Sequence, residues 1–168
     1  MKKRQFVKFY DKYAPRIYRF VYFKVNSSQD SEDITSEAFF KFWQNLAKLA
    51  EKQEKIDNPQ ALIYRIANNL VIDFYRKKPR TELILDPEDD SLAKIKDKTD
   101  LNKEISLGSD IDQVRKALNQ LKDEHQNIVI WHYLDDFSVK EMAQIIGKPE
   151  GTIRVLIHRA LKELKKNL

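Results

Sequence analysis

The chain has 168 residues, 42% hydrophobic and 34% charged, with a formal net charge of +5. That length supports one domain or two small ones with a real core. The absence of cysteine excludes disulfides and thiolate metal sites and fits a reducing cytoplasm. No apolar run approaches membrane-spanning length, and Met1-Lys2-Lys3-Arg4 opens an amphipathic segment rather than a signal-peptide core, so no membrane insertion is expected. Only three glycines occur, at 108, 147 and 151, against abundant Lys, Glu, Leu, Ile and Ala. This composition predicts an all-α fold. The charge is unevenly spread: residues 1–82 hold 17 basic and 10 acidic side chains, residues 83–110 hold 4 and 8, and residues 111–168 hold 10 and 8. Two basic lobes flank an acidic connector, which points to polyanion binding by both lobes.

Three helices are expected in the first lobe, residues 1–82. The first, over 3–25, places Phe6, Tyr10, Tyr13, Ile17, Phe20 and Val21 on one face, with Pro15 as a kink. After a polar loop at 26–30, a second helix over 31–54 carries Ile34, Ala38, Phe42, Leu46 and Leu49 inward. It opens with Asp30, Glu32 and Asp33, which favour the helix dipole. The acids sit beside aromatics, and Glu37, Phe40 and Trp43 suit a protein-docking surface of aromatic anchors with a charged rim. Asp57-Asn58-Pro59 breaks the pattern, and a third helix over 60–77 is expected to bury Leu62, Ile66, Leu70 and Phe74.

The polar positions of that third helix are Arg65, Asn68, Asn69, Asp73, Arg76, Lys77 and Lys78, with Tyr64 and Tyr75 interleaved. Amides, guanidinium groups and rings on one helix are what unstacked bases require: rings stack, amides read edges, cations hold phosphates. The same pattern also fits an amphipathic core helix with solvated charges, and the two tyrosines fit packing better than stacking. Residues 83–109 lose periodicity and read as a flexible acidic linker.

The second lobe, residues 110–168, begins with a helix through Ile111, Val114, Leu118 and Leu121, followed by a helix from Gln126 to Tyr133. Ser138 and Glu141 form a capping box that starts the next helix, with Met142, Ala143 and Ile146 on one side. Gly147 supplies a left-handed stop and Lys148-Pro149 a turn. The final helix has an apolar stripe of Ile153, Ile157, Ala160, Leu161 and Leu164. On its other side lie Arg154, Val155, His158, Arg159 and Lys162, which offer donors for phosphates and guanine edges and an apolar contact for a thymine methyl. This is a helix-turn-helix with a DNA-reading face, set against the plainer alternative of a solvated basic helix. His158 gains interest only from the arginines around it.

Four segments in this order resemble extracytoplasmic-function sigma factors of the sigma-70 family. DSEDITSEAFFKFWQN resembles region 2.2, PQALIYRIANNLVIDFYRKK region 2.4, LKDEHQNIVIWHYLDDFS region 4.1 and EMAQIIGKPEGTIRVLIHRAL region 4.2. The resemblance implies a region 2 helical bundle and a region 4 helix-turn-helix. It implies core RNA polymerase as partner, through the β′ clamp helices and the β flap, with promoter DNA and an anti-sigma factor. Asp30, Glu32, Asp33, Glu37, Phe40 and Trp43 would then face polymerase. Asp57 and Asn58, in a loop that captures a flipped base, would join Arg65, Asn68, Asn69, Asp73, Arg76 and Lys77 along the minus-10 element. Lys140, Thr152, Arg154, Val155, His158, Arg159 and Lys162 would serve the minus-35 element. The family commonly reads T-V-(R/K)-S-R where this chain has Thr152-Ile153-Arg154-Val155-Leu156, so a serine and a basic contact are expected to be lost there.

The linker length is consistent with this. Residues 83–110, 28 in number, reach about 90–100 Å extended and average about 30 Å as coil, against about 34 Å for one DNA turn. The alternative function is a free-standing helix-turn-helix regulator that binds DNA without polymerase. A helical nuclease or phosphohydrolase fits poorly. His125, His132 and His158 lack metal-ligand spacing, Asp89-Asp90 and Asp135-Asp136 read as turn residues, and no glycine-rich phosphate loop occurs. No metal, cofactor or small-molecule substrate is expected, and the chain is not expected to be an enzyme.

Overall fold

The computed structural model describes residues 1–77 and 104–168, with side chains from 112 onward in the second stretch. Most of the expected linker, including Asp89-Asp90, and the polar positions Lys78 and beyond lie outside the described residues. The chain divides into two compact units between residues 91 and 92. Among the described residues there are seven α-helices, one π-helical turn and no strand.

The first unit is a bundle of α1 (Lys3–Val25), α2 (Ser28–Glu51) and α3 (Pro59–Lys77). Pro15 sits inside α1, which runs unbroken; the missing amide leaves only the Asp11 carbonyl without its helical donor. Asn26 ends α1 in the left-handed region, φ 55°, with its N–H donating to the Tyr22 carbonyl at 2.9 Å. Ser27 then caps α2 at once, its Oγ accepting from the Asp30 N–H at 3.2 Å. The loop is therefore shorter than the polar run suggests, and α2 starts at Ser28 rather than 31 and ends at Glu51 rather than 54.

Ring pairs fix the directions. Phe6 meets Trp43 at 4.7 Å, Phe9 stacks on Phe42 at 4.9 Å and Tyr10 meets Phe39 at 4.7 Å. At the other end the Tyr18 hydroxyl meets Ser28 Oγ at 3.1 Å, so α1 and α2 run antiparallel. Tyr13 donates to Gln60, Phe20 lies beside Tyr64, and the Tyr75 hydroxyl donates to the Lys24 carbonyl. α1 and α3 therefore run parallel. Ile17, Phe20, Val21, Phe42 and Ile63 are fully buried between the three. Tyr10, expected inward, is 43% exposed, because its ring lies edge-on across Phe39 at the bundle's rim.

The inward face of α3 also differs from expectation. Only Leu70 of the anticipated set is buried; Ala61, Ile63, Tyr64, Ala67 and Val71 complete the core. The helix carries two apolar stripes, and the one bearing alanines wins because small residues let α3 approach its neighbours closely. Tyr64 is thus a core residue rather than a stacking platform.

The second unit contains α4 (Glu104–Asn119), α5 (Asp123–Val129), a π-helical turn (Ile130–Leu134), α6 (Val139–Ile146) and α7 (Glu150–Asn167). α4 starts at Glu104, within the stretch expected to be linker, and its helical backbone continues through Gly108. Ala117, Leu118 and Leu121 are buried, but Val114 is 37% exposed, so the inward face is narrower than the spacing suggested. α5 is shorter than the helix expected there and passes into the π turn, where Trp131 is buried. Asp136 takes φ 54°, and the Phe137 N–H donates to the Trp131 carbonyl at 2.8 Å, closing the bend.

The helix-turn-helix follows. Ser138 Oγ accepts from the Glu141 N–H at 3.2 Å while the Glu141 carboxylate accepts from the Ser138 N–H at 2.8 Å. Gly147 ends α6 at φ 75° and Pro149 caps α7. Met142 and Ile145 of α6 meet Ile153, Leu156 and Ala160 of α7 in the core.

Candidate nucleic-acid interface

Three exposed surfaces gather the residues singled out in the sequence, two on the first unit and one on the second. On α2, at about 100° per residue, Asp30, Glu32, Asp33, Glu37, Phe40 and Trp43 fall within an arc of about 160°. Phe40 is 61% and Trp43 42% exposed. They differ in support: Trp43 leans edge-on against Phe6, whereas Phe40 stands outward from α2. Glu37 pairs with Lys41 at 3.1 Å.

On α3, Arg65, Asn68, Asn69, Asp73 and Arg76 share one outward arc of about 140°, with Lys77 at its edge. Arg65, Asn69, Asp73, Arg76 and Lys77 are exposed and Asn68 is half-buried. Asp73 and Arg76 approach at 3.6 Å. Asn68 Oδ1 lies 3.5 Å from the Lys24 ammonium, which is buried and sits 5.6 Å from the Phe20 ring centre. Sequence reasoning missed Lys24, since nothing in its neighbours marks a lysine as buried. Asn58 has a structural duty: its Oδ1 accepts from the Ala61 N–H at 2.9 Å, capping α3 with Pro59 in the first helical position. Asp57 is exposed beside it.

On α7, Thr152, Arg154, Val155, His158, Arg159 and Lys162 are all exposed and cover one face opposite Ile153, Leu156 and Ala160. Arg154 is held by Glu150 at 3.0 Å, one turn earlier. Val155 is 48% exposed, an apolar group left on a cationic surface. Leu156 is 7% exposed, which corrects the expectation that it stands where a DNA contact was lost; its position, three after Ile153, is a core position. Gly151, in the first turn, has open space where a Cβ would stand. Lys140 is exposed in the first turn of α6.

Two further links set where this face sits. His125 Nδ1 hydrogen-bonds the Glu163 carboxylate, and Lys148 in the turn pairs with Glu124. The imidazole bond holds the Glu163 carboxyl below its ordinary value of 4.5. Among the described residues no three His, Asp or Glu side chains group as a metal site, and no helix is long and apolar enough to cross a membrane.

The family models for Sigma-70 region 2 and Sigma-70 region 4 match residues 9–81 and 111–164. The chain belongs to the sigma-70 family. Within it, this sigma factor falls in the extracytoplasmic-function class. It is 27% identical to the ECF RNA polymerase sigma factor SigW of Bacillus subtilis, over 94% of this chain and 86% of that protein. It is 29% identical to BldN of Streptomyces coelicolor, an ECF sigma factor, over 97% of this chain but only 60% of BldN. The fold matches that of the sigma factor RpoE solved with the anti-sigma factor NepR from Bartonella quintana, with TM-score 0.68, 22% identity, and 98% and 96% of the two chains covered. CnrH, solved with the cytosolic domain of CnrY, gives TM-score 0.66 at 16% identity, over 98% of this sigma factor and 88% of CnrH. The region 2 match holds the α2 and α3 surfaces, and the region 4 match holds the α7 face.

Proposed function

We propose that the chain is a dissociable promoter-specificity subunit that works in the cytoplasm, docking core RNA polymerase through region 2 and reading DNA with both regions. The observation that carries this is the α7 face: Arg154, Val155, His158, Arg159 and Lys162 all stand outward on a helix whose other side is core. Such a face fits a major groove, where guanidinium groups reach guanine edges and Val155 a thymine methyl.

The α2 surface supports polymerase docking, with Phe40 and Trp43 as anchors inside an acidic rim that includes Asp30, Glu32, Asp33 and Glu37. The α3 arc supports the minus-10 role. Arg65, Arg76 and Lys77 hold phosphates, while Asn68 and Asn69 meet bases of the melted strand. A flipped base beside Asp57 and Asn58 offsets an unstacking cost of about a few kcal/mol. Lys140 and Thr152 add contacts at the margin of the minus-35 duplex. A neighbour of the same fold, RpoE, was solved with an anti-sigma factor, which supports such a partner here. The chain carries out no chemistry of its own on this reading; polymerase does.

Run-off transcription with bacterial core polymerase on the DNA upstream of the chain's own gene tests this. A discrete, chain-dependent transcript is expected. Tight sequence-specific DNA binding by the free chain, with no association with core polymerase, would instead establish a free-standing regulator.

A further inference from the structure

α1 carries seven basic residues and a single acid, Asp11. Four of the cations, Arg4, Lys8, Lys12 and Arg16, recur at every fourth residue. Each step moves about 40° around the helix and about 6 Å along it, so they make one stripe about 18 Å long. Arg4 and Lys8 lie opposite the buried Tyr13, Ile17, Phe20 and Val21, and Lys12 and Arg16 carry the stripe round toward Tyr13. Arg4, Lys8 and Lys12 are exposed and Arg16 is half-buried. No carboxylate among the described residues pairs with any of the four, whereas Lys41, Arg76, Arg115, Lys148 and Arg154 each have one.

Beyond the Tyr13 ring beneath Lys12 and Arg16, the fold gains nothing from this arrangement. Like charges one turn apart repel along a helix. The first turn of α1 holds no acid, so its cations also oppose the positive end of the helix dipole. Four unneutralised charges along one side of the helix make a field suited to a polyanion.

The stripe also has an orientation. Lys12 Nζ lies 5.1 Å and the Arg16 guanidinium 6.0 Å from the Tyr13 ring centre. The Tyr13 hydroxyl donates to Gln60 Oε1 at 3.1 Å, in the first turn of α3. Lys12 and Arg16 thus stand on the flank of α1 that borders the start of α3, the helix assigned above to the minus-10 element.

We propose that this stripe binds the phosphate backbone of duplex DNA bordering the minus-10 element, without reading sequence. Its length matches about five phosphates of one strand at about 3.4 Å each. Arg4, Lys8, Lys12 and Arg16 form a row along that length with no amide, hydroxyl or apolar group among them, which suits contact with the backbone rather than with base edges. This rests on the region 2 reading above, and it extends the DNA contact from α3 onto α1.

The test uses holoenzyme made with core polymerase and either the wild-type chain or K8Q/K12Q/R16Q. Glutamine keeps helix propensity and relieves like-charge repulsion, which offsets the lost contacts with the Tyr13 ring, so the variant should melt close to wild type. Affinity is measured across salt for promoter fragments with duplex on either flank of the minus-10 element, on both, or on neither. The expected result is that the slope of log affinity against log salt becomes shallower by about two to three for the variant. The loss should appear with one duplex flank and vanish with neither, leaving the minus-10 base preference unchanged. An unchanged slope, a loss that persists without flanking duplex, or a weakened grip on core polymerase overturns the proposal, the last assigning the stripe to a protein surface. If the wild-type chain forms no holoenzyme, the region 2 reading falls and the stripe with it. A working wild type with an unchanged variant slope defeats the stripe alone.

Discussion

His125 on α5 and Glu163 on α7 are joined by a hydrogen bond from imidazole Nδ1 to carboxylate across 38 intervening sequence steps. The bond anchors α7 one turn beyond Arg159, so it sets where the face proposed to read DNA stands relative to α5. The imidazole stabilises the ionised carboxylate and holds its pKa below 4.5. A depressed carboxylate contributes stability that is fully present above its ordinary value and is lost as pH falls through the folded value. Glu163→Gln should therefore melt below wild type near neutral pH, with the gap closing as pH drops below 4.5. Thermal melts by circular dichroism from about pH 7 to about pH 3 read this directly. A gap that is constant with pH would show that the carboxylate charge contributes nothing to the clasp.

Val155 and Leu156 are adjacent in sequence and opposite in duty. Leu156 is in the core of the helix-turn-helix and Val155 stands in the exposed cationic face. Leu156→Ala should cost about 2–4 kcal/mol of region 4 stability through lost burial and a cavity. Val155→Ala should leave denaturant unfolding within about 0.5 kcal/mol of wild type yet lower holoenzyme affinity for minus-35 sites carrying a thymine. Arg159→Ala should weaken minus-35 binding by about 1–3 kcal/mol. If Val155→Ala unfolds the domain as Leu156→Ala does, the face assigned to DNA is wrong by a helical step.

What could be read without coordinates follows from how local each signal is. The start and stop of α6 rest on Ser138, Glu141 and Gly147, all within one short helix, and they stand where the sequence put them. The inward face of α3 could not be read, because Leu62-Ile66-Phe74 and Ile63-Tyr64-Val71 are both apolar at helical spacing. Contacts with another helix separate them: the close approach at Ala61 and Ala67 and the Tyr64 ring against Phe20. Leu156, read from the family pattern as a lost contact and left out of both faces of α7, is a core residue. The His125–Glu163 bond and the burial of Lys24 join distant positions, and no local pattern encodes them. The exposure of the cations proposed to meet DNA was legible because exposure is the default for charge.

Phe40 and Trp43 allow docking to be separated from stability. Phe40 is 61% exposed, so Phe40→Ala should leave the melting temperature near wild type while weakening association with core polymerase by about 2 kcal/mol or more, the range of an interface hot spot. Trp43 packs edge-on at 4.7 Å against Phe6. Trp43→Ala should therefore lower both docking and stability, the latter by about 1–2 kcal/mol from the lost aromatic contact and burial. Titration of labelled chain with core polymerase, beside melts of the free chain, gives both quantities. Equal docking losses with equal stability losses would mean that the two residues act through the bundle rather than through a contact.

Gly147 and Gly151 flank the turn of the helix-turn-helix and answer to different demands. Gly147 has φ 75°, and a Cβ there would touch nothing within 4 Å. Its requirement is purely conformational, so Gly147→Ala should destabilise by about 1–2 kcal/mol, with asparagine costing less because it tolerates the left-handed region. Gly151 has an ordinary helical backbone and equally open space around it. Within the chain, alanine is the better helix former there, and Gly151→Ala should raise stability by up to about 1 kcal/mol. It stands in the first turn beside Thr152 and Arg154, where α7 would enter the groove and its amides would approach a phosphate. The added methyl should therefore weaken minus-35 binding while the fold is strengthened. Opposite signs in the melt and in the holoenzyme affinity would locate the demand for glycine in the DNA; a variant that binds as well as wild type would remove Gly151 from the interface.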